Sequence, residues 1–184
     1  MKPLFTVHAG EFLTVSEIER RFRHVNVWIP AKDTGVDLLV SNTDNSKTVS
    51  LQVKFSRDYF ATHLKEGLRA EVRAFGWWTP TRMQIEKSSA QYWIFVLYGF
   101  DSKNPDFIII KPDELLKRLN TIHQNGAEKF HIYLWVTTSG KCYETRGLDA
   151  AAKQLIADKT FTDGVRDFSN FLNQWGPIEA LNAK

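Results

Sequence analysis

Three residues of the chain combine chemistry with a usable spacing: Asp37 in Gly35-Val36-Asp37-Leu38-Leu39-Val40, and Gln52 and Lys54 in Leu51-Gln52-Val53-Lys54. Each run alternates like a β-strand, and the polar stretch SNTDNSK (41–47) between them reads as a turn, so the two predict a β-hairpin. A turn symmetric about Asp44-Asn45 makes paired positions sum to 89, which sets Asp37 opposite Gln52. Opposed residues lie ~5 Å apart at Cβ, and Lys54 shares their face on a diagonal of roughly 7–8 Å. A carboxylate, an amide oxygen and an ammonium among apolar neighbours make a costly core. They are well suited to holding a hard, oxygen-seeking cation beside a water. The competing reading is a plain cross-strand ion pair of Asp37 and Lys54 on a solvated sheet face. Leu39, on the side of Asp37, argues instead for partial burial.

Those residues need elements to position them. Residues 8–24 predict an amphipathic helix with Phe12, Val15, Ile18 and Phe22 near one face, followed by a short strand at Val25–Ile29 that ends before Pro30. After the hairpin, 57–67 has no clear pattern, Leu68–Trp78 alternates as a further strand, and Pro80–Ser88 predicts a short helix. Tyr92–Tyr98 (YWIFVLY) is almost continuously apolar, the mark of a strand buried on both faces. Phe107–Ile110 and Phe130–Val136 are two more buried strands. Pro112–Leu119 starts with Asp113 and Glu114 and ends with Lys117 and Arg118, an order that complements a helix dipole. Leu148–Ala157 predicts a helix, and Val165–Trp175 another with Val165, Phe168, Leu172 and Trp175 on one face, stopped by Gly176-Pro177. The expected architecture is α/β, a mixed central sheet flanked by helices on both faces. It forms a single domain over 1–184, with a core of 8–136, C-terminal helices within 147–176 and a loose tail at 177–184.

An Asp on one hairpin strand and Gln-X-Lys on the next resemble the PD-(D/E)XK nuclease superfamily, whose pattern is Asp, then Glu-X-Lys, with a Glu from the preceding helix. Gln52 in place of the first acid is similar to the Mrr-like branch, and Glu11 in Ala9-Gly10-Glu11-Phe12-Leu13 looks like the Gly-Glu start of the first helix in small nucleases of this group. The resemblance covers residues 8–136 and rests on a four-residue motif. It implies a restriction-endonuclease-like core and hydrolysis of DNA phosphodiester bonds with Mg²⁺ or Mn²⁺, in restriction, repair or mobile-element work, as a homodimer or with a partner protein. Asp37 would be the principal metal ligand, Gln52 a neutral oxygen, the Val53 carbonyl a further one, and Glu11 the completion from the helix. Lys54 would orient the attacking water. Because Gln52 removes a negative charge, a second outcome stays open: a catalytically inactive nuclease-fold protein that binds nucleic acid or a protein partner. A third is an α/β interaction module with incidental hairpin charges.

Composition narrows the rest. With 43% hydrophobic and 24% charged residues, the 184-residue chain is an ordinary globular protein. A net charge of +3 is too small to argue for nucleic acid alone. Lys32, Arg57, Arg69, Arg73 and Arg82 are the candidate phosphate contacts. Trp77 and Trp78 could stack on unpaired bases, unless packing buries one of them. The single cysteine, Cys142, excludes an intramolecular disulfide and a cysteine-based zinc cluster, and no base adjoins it to make a nucleophile. The five histidines (His8, His24, His63, His123, His131) form no metal-binding pair. No Gly-rich phosphate loop or Ser-centred elbow occurs. No apolar run reaches the ~18 residues that span a bilayer. Met1–Phe5 lacks a signal-peptide core, so a cytoplasmic protein without a membrane partner is expected.

Overall fold

The run YWIFVLY is the central strand of the fold, with Trp93 to Leu97 buried in succession. The structure is a computed structural model that describes residues 9–32, 34–57, 66–99, 104–123 and 126–182. Helix α1 (Ala9–Arg21) leads into an antiparallel meander of β1 (Val25–Trp28), β2 (Leu38–Asn42) and β3 (Thr48–Arg57). The chain then passes through α2 (Glu66–Ala70), β4 (Val72–Trp78) and α3 (Arg82–Glu86), and β5 (Tyr92–Tyr98) returns parallel to β3. Next come β6 (Asp106–Ile110), antiparallel to β5, then α4 (Pro112–His123), β7 (Ile132–Thr137), β8 (Cys142–Glu144) and α5 (Ala150–Ala157). A 3₁₀ turn at Ser169–Phe171, α6 (Gly176–Glu179) and a second 3₁₀ turn at Ala180–Asn182 follow. Among the described residues, no helix is long and apolar enough to cross a membrane.

The class is mixed α/β as expected, but the single sheet is two. A five-stranded mixed sheet runs β1-β2-β3-β5-β6, and β4-β7-β8 form a separate three-stranded antiparallel sheet. One face of the large sheet, with Leu38, Val40, Leu51, Val53, Ile94 and Val96, packs on Ile18 of α1 and on Trp175, Ile178 and Leu181. Its other face, with Trp93, Phe95 and Leu97, meets Ala74, Trp78, Leu134 and Val136 of the small sheet and Leu115 and Leu119 of α4. The both-sided burial of β5 thus comes from helices on one side and largely from a second sheet on the other.

Four local expectations are corrected. Leu68–Trp78 is not one strand: α2 precedes β4, because Leu68 alone is buried in that stretch and one helical turn suffices to seat it. Val165–Trp175 is not a helix. Phe168 and Leu172 enter the core between the sheets while Trp175 enters the other core, and Val165 is exposed. A straight helix cannot serve both cores. This segment instead closes the edges of both sheets, pairing Asp167 with Tyr143 of β8 and Leu172 with Ile108 of β6, which satisfies backbone groups that an open edge leaves unpaired. Residues 177–182 are no loose tail, since α6 and the turn after it bury Ile178 and Leu181. In α1 the buried positions are Gly10, Glu11, Thr14 and Ile18, whereas Phe12 is 62% exposed.

Candidate active site

The hairpin has the register that its turn dictates. The ladder between β2 and β3 runs from Ser41↔Thr48 to Leu38↔Leu51, so paired positions sum to 89. Asp37 lies one step further, just beyond the start of β2. Here the backbone leaves the ladder: the Asp37 N–H donates to the Leu51 carbonyl at 2.9 Å, and the carboxylate Oδ2 accepts the Val53 N–H at 2.8 Å. A side chain thus takes the place of the next backbone acceptor. In an antiparallel strand a residue's N–H and C=O point the same way, so the Val53 carbonyl also faces the Asp37 side. Asp37, Gln52 and Lys54 are all half-buried.

Gln52, Lys54 and Ser56 share one face of β3, where parallel pairing sets Gln52 beside Trp93 and Lys54 beside Phe95. The Lys54 ammonium lies 5.2 Å from the centre of the Trp93 ring, a cation–π contact over a fully buried indole. The Trp93 Nε1–H donates in turn to Ser88 Oγ at 2.8 Å. Glu11 comes from α1, which lies against the opposite face. Gly10 lets the helix start approach closely: a Cβ there would sit 2.6 Å from Phe55 Cβ and 3.2 Å from Val53 Cγ1. Glu11, 6% exposed, therefore adjoins a position that touches both chain neighbours of Lys54.

The basic and aromatic candidates divide. Lys32 and Arg69 are exposed, and Arg57 ends β3. Arg73 is committed to Asp106, donating from Nε at 3.0 Å and from Nη2 at 2.7 Å. Arg82 donates to the Ala127 carbonyl at 2.9 Å and to Asn120 Oδ1 at 2.6 Å, and its guanidinium covers Phe130. Both guanidiniums are thus engaged within the fold. Trp78 is buried edge-on against Phe95, and a Cβ on Gly76 would collide with its ring, so it offers no face to a base. Trp77 is 47% exposed. His8 and His63 lie outside the described residues.

Sequence reading missed the groups that only distant pairing supplies: Trp93 beneath Lys54, the Asp106 cluster, and Glu144. The Glu144 side chain is fully buried, and burial pushes its carboxyl up to about 7. The Tyr133 and Arg146 N–H groups and the Arg166 guanidinium, 2.7 Å away, pull it back down. Burial above all, then nearby Asp106 and Asp167, raises the Cys142 thiol well above its usual range, so it is no nucleophile.

Among the described residues, no three His, Cys, Asp or Glu side chains gather as metal ligands. The donors at the hairpin are instead hard oxygens of mixed type: the Asp37 carboxylate, the Gln52 amide oxygen and the Val53 carbonyl, while Glu11 comes from the helix on the opposite face of the sheet. That set suits a cation such as Mg²⁺, which keeps several waters and needs one or two carboxylates. No protein-family model matches the chain, and neither the curated proteins nor the solved structures contain a match to it.

Proposed function

We propose that the chain is a PD-(D/E)XK-type nuclease with a restriction-endonuclease-like core, hydrolysing DNA phosphodiester bonds with Mg²⁺ or Mn²⁺. In this reading it acts in the cytoplasm in restriction, repair or mobile-element work, as a homodimer or with a partner protein. The observation that carries the reading is the end of the β2–β3 ladder, where the Asp37 carboxylate leaves the strand beside Gln52 and Val53. The order of elements agrees with it: a first helix, an antiparallel meander, and a later strand parallel to β3. The crossover is α2–β4–α3 rather than one helix.

Asp37, Gln52, the Val53 carbonyl and Glu11 would hold the cation, which when bound neutralises a scissile phosphate and acidifies a water. Lys54 orients that water and offsets negative charge developing on the phosphate, and Trp93 beneath it restricts where the ammonium can go. Lys32, Arg57 and Arg69 remain as phosphate contacts. The test is cleavage of linear, nicked, branched and single-stranded DNA with Mg²⁺, with Mn²⁺ and with chelator. Turnover that requires the cation and disappears in Asp37→Ala and Lys54→Ala supports the reading. Equal cleavage by Asp37→Ala would show that the site lies elsewhere. A wild type inert with both metals, with activity gained in Gln52→Glu, would identify a decayed nuclease that only binds.

A further inference from the structure

The small sheet has an outer face that its helices cover only in part. Phe75, Trp135 and Tyr143 on that face are buried with Leu68 of α2 and Ile156 of α5. Beyond that cap the same face presents Trp77 and, directly across the ladder, Tyr133. The Trp77 ring runs nearly parallel to Tyr133, at 25° and 6.0 Å between centres, and to His131, at 14° and 6.5 Å. The exposed Arg146 guanidinium lies 5.5 Å from the centre of the Tyr133 ring.

We propose that this surface binds the unpaired bases of single-stranded DNA, with Trp77 as the stacking partner and Arg146 as the contact to the adjoining phosphate. The ligand class rests on the nuclease reading; the surface itself stands on three observations. First, aligned aromatic rings with a cationic rim are the combination that binds single strands without sequence preference. A duplex offers no free base face to them. Second, the acidic residue next but one to Arg146 in sequence does not reach this surface. Glu144, two residues before Arg146, is turned inward onto Arg166, and the His123 imidazole is lowered by burial and then by Arg146, Arg166 and His131. Third, the surface adjoins the hairpin. The Trp77 N–H donates at 3.0 Å to Ser56 Oγ, two residues past Lys54 on the same face of β3.

The experiment is fluorescence anisotropy of labelled oligothymidylate, and of a duplex of equal length, with the full chain in chelator so that nothing is cut. Wild type should bind oligothymidylate, and Trp77→Ala should weaken it roughly 5- to 150-fold with duplex binding unchanged. Arg146→Ala should weaken the same ligand and flatten its salt dependence. Trp77→Phe, which keeps a ring, should retain part of the affinity and carries the test if Trp77→Ala fails to fold. Oligothymidylate binding that is absent in wild type, or that survives both Trp77 variants intact, overturns the proposal. So does a wild-type dimer that Trp77→Ala dissociates while no oligothymidylate binds. Metal-dependent duplex cleavage without oligothymidylate binding ends this proposal alone. Trp77-dependent binding by a chain that cuts nothing ends the hydrolase reading alone.

Discussion

Two aspartates stand where strands of the large sheet begin, and their surroundings use them differently. Asp106 opens β6, is buried, and has both oxygens occupied: Oδ2 by Arg73 Nε, and Oδ1 by Arg73 Nη2 and by Asn173 Nδ2 at 2.9 Å. It binds β4 and the C-terminal segment to the sheet. Asp37 precedes β2, is half-buried, and meets a backbone N–H of its own hairpin beside Gln52. A carboxylate held by donors from two distant segments of the fold is scaffold. Asp37 instead caps the end of its own hairpin ladder, where the proposed cation site lies. The contrast also gives Arg73 a place in the scaffold, as the residue that ties β4 to β6.

The contrast breaks most visibly in activity. Asp37→Ala should abolish cation-dependent cleavage while the thermal midpoint moves little, whereas Asp106→Ala should leave cleavage per folded molecule intact. In stability the order reverses. Removing Asp106 strands the Arg73 guanidinium and the Asn173 amide, at a cost of about 3–4 kcal/mol with part of Arg73 still in water. That is a drop of roughly 6–16 °C in midpoint for a chain of this size, read by calorimetry. Equal effects of the two changes on both readouts would erase the distinction.

Glu144 is a third case, a carboxylate held by donors yet deprived of water. Its folded pKa, about 7, lies above the ordinary 4.5, so the native state holds the proton more tightly. Stability should therefore be greatest below about pH 4.5 as far as this group is concerned, and should decline as pH rises towards 7, by up to about 3 kcal/mol. Denaturant titrations across that range should show the slope in wild type and a flatter one in Glu144→Gln. An unchanged slope would place the titration elsewhere. The smallest expected effect is at Gln52. Gln52→Glu adds a charge to the proposed cation site and should lower the Mg²⁺ concentration for half-maximal cleavage several-fold, because ligand charge sets such affinities.

The hairpin was legible because its register depends on neighbours in sequence: a polar turn and alternating residues fix the pairing from Ser41↔Thr48 to Leu38↔Leu51 with no outside help. The buried strands were legible for the same reason, since Tyr92–Tyr98 declares its burial in composition alone. What could not be read is what distant segments do together. The pairing of β4 with β7 joins residues some sixty positions apart, so nothing local separates a second sheet from an extension of the first. Trp93 comes beneath Lys54 only through the parallel pairing of β3 with β5. In Val165–Trp175 the helical spacing of apolar residues is real, but two cores and two sheet edges recruit them one by one, and tertiary demand overrides periodicity.

That last segment also imposes an order of events during synthesis. Every strand of both sheets is made before residues 167–172, yet β6 and β8 receive their edge partners only from those residues. A nascent chain that has already assembled its sheets must therefore carry two open strand edges on the ribosome, each able to pair with a neighbouring chain. Slow translation through 150–166 would lengthen that exposure, and a holdase acting at this stage would shield strand edges together with the apolar surface that Phe168, Leu172 and Trp175 later cover.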